Sequence, residues 1–148
     1  MSNDDTKKEE AAKAVNARNE GIIEEFHTNE GRVGGPFEGS TLLLLHTNGA
    51  KSHAHRINPV VYLPIDDKIY VFATKAGADT NPDWYHNLVA DPKVSVEIGT
   101  EKFQATAKPL LSEERDRVYA IQANRFPTFA DYQSKTTRII PVVELVRT

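Results

Sequence analysis

At 148 residues, with 39% hydrophobic and 26% charged side chains, the chain has the length and composition of one soluble globular domain able to bury a core. A formal net charge of -3 and a pI of about 5.9 give no overall field that would draw it onto nucleic acid or an anionic membrane, so any anion site has to be local. Having no cysteine, it has no disulfide, no thiol nucleophile and no thiolate metal site.

The chain starts MSNDDTKKEEAAKAV, a mixture of acidic and basic side chains without an apolar run. This fits neither a signal peptide nor a membrane span, and the cytoplasm is the expected compartment. Thr6 and Glu9 have the spacing of a capping box, and Ala11, Val15, Ile22 and Phe26 recur near helical spacing, so residues 1–30 are expected to form a helical arm, with Gly21 as a candidate point of interruption. Charges on most faces of the arm argue against its lying in a membrane. NEGRVGGPFEG, with four glycines and a proline, reads as a loop that either lies flat against something or moves.

After this loop the period changes. TLLLLHT reads as a buried strand, INPVVYLPI as a second and KIYVFAT as a third, with Asp66 and Asp67 turning between the last two. NPDWYHNLVADP places Asn81 at a helix cap and Pro82 at the first helical position, and the helix stops before Pro92. KVSVEIG and KFQATAKPL read as a hairpin around Gly99-Thr100-Glu101. SEERDRVYAIQANRF reads as a helix opened by Ser112 and two glutamates, and IIPVVELV as the last strand. Six strands joined mostly by short turns predict a mainly β fold over residues 31–148, an antiparallel barrel with peripheral helices.

Two segments carry candidate chemistry. HTNGAKSHAHR leaves one strand, turns at Asn48-Gly49 and enters the next. Lys51 offers a point charge, Arg56 a planar fork, Ser52 a hydroxyl and the turn backbone N–H groups, a set suited to phosphate or carboxylate and equally to a solvated hairpin tip. His53 and His55, in H-x-H spacing, could join His46 or His86 around a metal, but no known signature is completed and no metal is expected. In ATKAGADTNPDWYHNL a strand ends at Thr74, a Lys75-Ala76-Gly77 turn follows and a helix begins, an anion-friendly arrangement. Trp84 and Asn87 beside it suit a flat ligand, or a Trp anchoring the helix with Asn87 as a local cap.

These two segments, together with FPTFADYQSKTTRIIPV, resemble the deazaflavin-dependent nitroreductase family of actinobacteria, over about residues 30 to 147. The resemblance implies a split β-barrel of the FMN-binding type and use of reduced coenzyme F420 as hydride donor. In relatives the first motif typically runs TTGRKSGxxR, which implies that Lys51, Ser52 and Arg56 hold the coenzyme phosphate; Ala50 here replaces a basic residue and His53 a glycine. Asn58 and Pro59 match the following NP. Thr74, Lys75, Ala76 and Gly77 match the strand-end turn near the coenzyme ring, and Trp84, Asn87 and Leu88 the coenzyme groove. Tyr132 in FADYQ matches a substrate-side tyrosine that would act on the acceptor, with Tyr62 as a further candidate wall. Phe129 stands where some relatives carry another tyrosine, which implies a less polar acceptor wall. The implied acceptors are small, flat and conjugated: quinones, coumarin-type lactones or nitroimidazoles. An FMN-dependent oxidoreductase, a non-catalytic deazaflavin binder and an interaction domain without small ligand stay open, as do monomer and homodimer; no nucleic-acid partner is expected.

Overall fold

The computed structural model describes residues 18–34 and 41–148. The Thr6–Glu9 capping box, Ala11 and Val15 lie outside the described residues, as do residues 35–40 of the glycine-rich loop. The described part of the arm is a helix, α1, over residues 18–28, which runs through Gly21 without a break. The elements that follow are β1 (Leu42–Asn48), β2 (His55–Ile65), β3 (Lys68–Phe72), α2 (Asp83–Ala90), β4 (Lys93–Ile98), β5 (Glu101–Pro109), α3 (Ser112–Arg125), α4 (Thr128–Ser134) and β6 (Val142–Arg147), with a 3-10 turn at Lys75–Gly77 between β3 and α2.

All six expected strands form, and they close into an antiparallel barrel in the order β1-β2-β3-β6-β5-β4. The three hairpins pair neighbours in sequence. Closure comes from three distant pairings, β5 with β6 (Ala107 opposite Leu145), β3 with β6 (Val71 opposite Val143) and β1 with β4 (Leu45 opposite Val96). The β4–β5 hairpin turns at Gly99-Thr100, with Ile98 opposite Glu101.

Period-two alternation sends Leu43, Leu45, Val60, Val71, Val94, Val96, Ala105, Ala107, Val143 and Leu145 from all six strands into one interior cluster, which Trp84 and Leu88 of α2 join. A second cluster forms on the outside, where Tyr70, Phe72, Ile140 and Val142 meet Val118 and Tyr119 of α3, with Phe129 and Tyr132 of α4 against them. A third unites the other face of β1, Leu42 and Leu44, with Phe26 of α1. This double burial is why LLLL runs without alternation: both faces of β1 are covered.

Two helix expectations change. The helix after β3 starts one residue later than its motif implies: Pro82 occupies the cap position in extended conformation, and no side chain caps the end. The side chain of Asn81 is instead a hydrogen-bond acceptor for Arg138. Helix α4 was not expected from the sequence; it is seven residues long and fully buries none of them, so it carries no helical apolar stripe to be read.

Phe26 is completely buried against Leu42 and Leu44. Phe26→Ala is expected to cost about 3 kcal/mol or more of stability through the cavity it leaves; urea unfolding of the two proteins measures it, and a loss below about 1 kcal/mol would show that α1 contributes little to the core.

Candidate functional site

A cleft of about 390 Å³ opens where the three apolar clusters approach one another, a size suited to a small flat ligand. Pro59, Val60 and Val61 of β2, Phe72 of β3, Trp84 of α2, and Phe126, Phe129 and Tyr132 around α4 make its walls, and Thr74, Lys75, Pro82 and Thr128 its rim. Among the described residues, Lys75 is the one formally charged side chain lining it, and no carboxylate does so. The walls are mostly aromatic, and they brace one another edge to face: Phe72 and Phe129 have ring centroids 5.5 Å apart, as do Phe129 and Tyr132. The Tyr119 hydroxyl donates to the Phe129 carbonyl at 2.5 Å and so fixes the wall to α3. The Tyr132 hydroxyl has no hydrogen-bond partner among the described residues, which leaves it available to a ligand.

The turn between β3 and α2 bounds the cleft on one side. Thr74 is right-handed (φ -75, ψ -43), whereas Lys75, Ala76 and Gly77 all have positive φ, at 45, 54 and 82. For Lys75 and Ala76 this conformation costs on the order of 1 kcal/mol each. Gly77 is required on two grounds. Its φ is left-handed, and a Cβ there would lie 2.9 Å from the carbonyl oxygen of Tyr132, so α4 packs directly onto this turn. Lys75 Nζ reaches Thr80 Oγ1 at 3.1 Å.

The β1–β2 loop is separate from the cleft lining but tied to α2. Asn87, buried on α2, accepts from the Ala50 N–H at 2.9 Å and donates to Thr47 Oγ1 at 3.2 Å. Lys51 and Ser52 are exposed on this loop, Arg56 is exposed at the start of β2, and Ser52 Oγ accepts from the Ala54 N–H. His53 has φ 59, so the residue that stands in place of a glycine keeps a glycine-like conformation.

The sequence-derived candidates therefore divide. Pro59, Thr74, Lys75, Trp84 and Tyr132 meet in the cleft, and Ala76 and Gly77 form the adjoining turn. Asn58 is half-buried next to Pro59, opposite Leu45. Leu88 belongs to the interior cluster, Lys51 and Ser52 lie on the neighbouring loop, and Arg56 follows it at the start of β2. Tyr62 packs against the interior cluster and is not in the cleft lining; burial raises its phenol above the ordinary 10.0 and keeps it neutral.

Sequence reasoning missed Arg138. Its guanidinium, partly buried between α4 and β6, donates to the carbonyls of Ala73, Thr74 and Ala78 and to Asn81 Oδ1 at 2.7 to 3.2 Å. Burial lowers its pKa below the usual guanidinium value. An arginine in KTTRII gives no local signal of such a role.

Three of the five histidines form a hydrogen-bonded chain with Glu97, and among the described residues no group of three or more His, Asp or Glu side chains is placed to hold a metal ion. His53 sits in the loop, so the expected H-x-H pair on one strand does not form. Instead His46 Nδ1 faces His55 Nε2 at 2.7 Å, His46 Nε2 faces Glu97 Oε2 at 2.6 Å, and Glu97 Oε1 faces His27 Nε2 of α1 at 2.9 Å. Burial holds His46 below its ordinary 6.5, so it is neutral at pH 7, donating from Nε2 and accepting at Nδ1. Burial pushes Glu97 up, but hydrogen bonds from His46 and His27 outweigh this and hold it below its ordinary 4.5.

Both shifts mean that the unfolded chain takes up protons at a higher pH than the folded one. Stability is expected to fall on acidification, first below about pH 6.5 through His46 and again below about pH 4.5 through Glu97. Glu97→Gln is expected to cost about 1 kcal/mol at pH 7 and to flatten the decline below pH 4.5. Urea midpoints from pH 7 to 4 measure this, and parallel curves for the two proteins would rule out the assignment. At Gly77, alanine is expected to cost about 1–3 kcal/mol through strain and the Tyr132 contact; an unchanged Tm would show that α4 yields freely.

A profile of the F420H(2)-dependent quinone reductase family matches residues 21–147. An F420H(2)-dependent quinone reductase of Mycobacterium tuberculosis is 38% identical over 126 residues, covering 82% of this chain and 85% of that protein. Among solved structures, the chain is similar to an F420-H2 dependent reductase, FDR-A, at 36% identity and a TM-score of 0.65, over 71% of this chain and 93% of that one. It is also similar to a domain-swapped dimer at 32% identity and a TM-score of 0.67, over 91% and 98%. HutZ, a heme storage protein from Vibrio cholerae, shares the split-barrel fold at 18% identity and a TM-score of 0.57, over 88% of this chain and 90% of that one.

Proposed function

Because the chain belongs to the F420H(2)-dependent quinone reductase family, we propose that its cleft and basic loop hold coenzyme F420 and lay a flat conjugated acceptor beside it. The protein is an F420H2-dependent oxidoreductase, and the reduced deazaflavin, when bound, supplies a hydride from its ring carbon C5. The observation that carries the site assignment is the cleft itself: aromatic and apolar walls, among the described residues no lining carboxylate and one cation at Lys75, and a turn whose N–H groups lie beside it. Such a lining fits a planar, electron-rich, anionic coenzyme.

In this reading Lys51, Ser52 and Arg56 bind the coenzyme phosphate, and Asn87 supports them by holding the backbone of their loop at Ala50. Thr74, Lys75, Ala76 and Gly77 hold the ring side, with Asn58, Pro59, Trp84 and Leu88 shaping the groove. Tyr132 donates a hydrogen bond to the acceptor oxygen as negative charge develops there. Phe126, Phe129 and Phe72 exclude water and favour ring-shaped acceptors. Quinones, coumarin-type unsaturated lactones and nitroimidazoles all satisfy those walls. Tyr62, held in the barrel interior, would support β2 from behind. Residues 1–30 serve as an arm on a coenzyme-binding barrel of residues 31–148, acting in the cytoplasm. No helix among the described residues is long and apolar enough to cross a membrane. The solved relative that is a domain-swapped dimer supports a homodimer.

Titration with oxidised F420, followed by fluorescence with FMN as the control, tests the site. F420 is expected to bind and FMN not to. Alanine at Lys51 or Arg56 is expected to weaken F420 binding by about 1–3 kcal/mol, and unchanged affinity in both variants would remove the phosphate assignment. Tyr132→Phe is expected to lower kcat well beyond its effect on coenzyme affinity; equal losses in both would make the hydroxyl structural.

A further inference from the structure

The turn beside the cleft needs external support. Two of its residues, Lys75 and Ala76, are L-amino acids with left-handed dihedrals, and its internal hydrogen bonds are few: Gly77 N–H to Thr74 O at 2.9 Å and Ala78 N–H to Lys75 O at 3.1 Å. A right-handed residue followed by left-handed ones turns successive N–H groups toward one side, the arrangement known as a nest. The N–H groups of Lys75 and Ala76 have no acceptor among the described residues, and Thr74 and Lys75 line the cleft.

One side chain grips this turn from both ends. Arg138 donates from Nη1 to Ala73 O (3.2 Å) and from Nη2 to Thr74 O (2.8 Å) where the turn begins. It donates from Nε to Ala78 O (2.7 Å), and from Nη1 to Asn81 Oδ1 (2.9 Å), where the turn ends. These donors belong to one rigid plane, so the carbonyls before and after the turn are held at a set separation. Arg138 is itself fixed: its carbonyl accepts from Gln133 Nε2 at 2.8 Å and its N–H donates to Thr136 Oγ1 at 3.2 Å. Among the described residues it forms no ion pair, and the nearby Asp79 is engaged by Thr136 Oγ1. Its donors are therefore committed to shaping the loop.

We propose that Arg138 is a positioning residue for the coenzyme: without lining the cleft, its planar guanidinium locks Thr74–Gly77 in the conformation that presents the Lys75 and Ala76 N–H groups to the deazaflavin. This rests on the assignment of that turn to the coenzyme's ring side. It separates shape from charge, because a lysine retains the cation and loses the fork.

The test compares wild type, R138K and R138A by F420 fluorescence titration and by steady-state kinetics with a quinone, each well below its own Tm. Both variants are expected to bind F420 at least tenfold more weakly and to raise the KM for reduced F420, with the quinone KM within about twofold of wild type. Millimolar methylguanidinium is expected to restore part of the binding to R138A and to leave R138K unchanged. A lysine variant that binds like wild type would overturn the proposal, since charge alone would then suffice; so would normal binding in both. If neither variant folds, Asn81→Ala removes one of the four bonds: about threefold weaker binding is expected, and unchanged binding would overturn the proposal. Failure of the wild-type protein to bind F420 would instead bring down the site assignment beneath it.

Discussion

Closure of the sheet is the constraint from which the rest of this structure follows. With β6 seated between β3 and β5, and β1 against β4, no strand edge is left open, and each strand has only an inner and an outer face to dispose of. The inner faces make one cluster and need only the indole of Trp84 and the side chain of Leu88 to complete it. The outer faces then need covers. Helix α1 supplies one for β1; α3 and α4 supply another for β3 and β6. The cleft lies where those covers do not meet, between the outer face of β2 and the aromatic edge of α4.

The strands were legible because their signals are local. Apolar runs of strand length, separated by Asp66-Asp67 or Gly99-Thr100, state both the element and its end, and the barrel follows from six such runs with short connections. The two basic segments stood out in the sequence for the same reason. What was not legible depends on contacts made across the chain. Asn81 has the right chemistry for a cap, but a distant guanidinium competes for its oxygen. Helix α4 follows a proline and has no buried stripe; it is held by Tyr119, by Gly77 and by the bonds of its own Gln133 to Arg115, Arg138 and Ile140. Tyr62 and Val61 are adjacent on a strand with both faces at least partly covered, so alternation alone cannot say which of them lines the cleft.

The histidines illustrate how one residue type serves different ends within a few positions. His53 accepts a left-handed backbone in a loop. His55, two residues on, begins a strand and contacts His46 across the β1–β2 pair. His46 is held neutral by burial and joins through Glu97 to α1, so the arm and the barrel share a proton-sensitive connection that the H-x-H spacing alone misassigns. The chain of bonds runs through β2, β1, β4 and α1, and no fragment of sequence contains more than two of its members.

The separation of Arg138 from the loop it grips also has a consequence for how the protein is made. The contact with Ala78 spans 60 residues, and β3 finds its second partner only in β6. On a ribosome, the segment carrying Lys75, Gly77 and Trp84 emerges long before the arginine that shapes it. Contacts at such separation are slow to form because the loop entropy must be met first. The Thr74–Gly77 turn is thus among the last parts of the fold to take its shape, after the early hairpins have formed, and the nascent chain carries its apolar β3 edge uncovered in the interval.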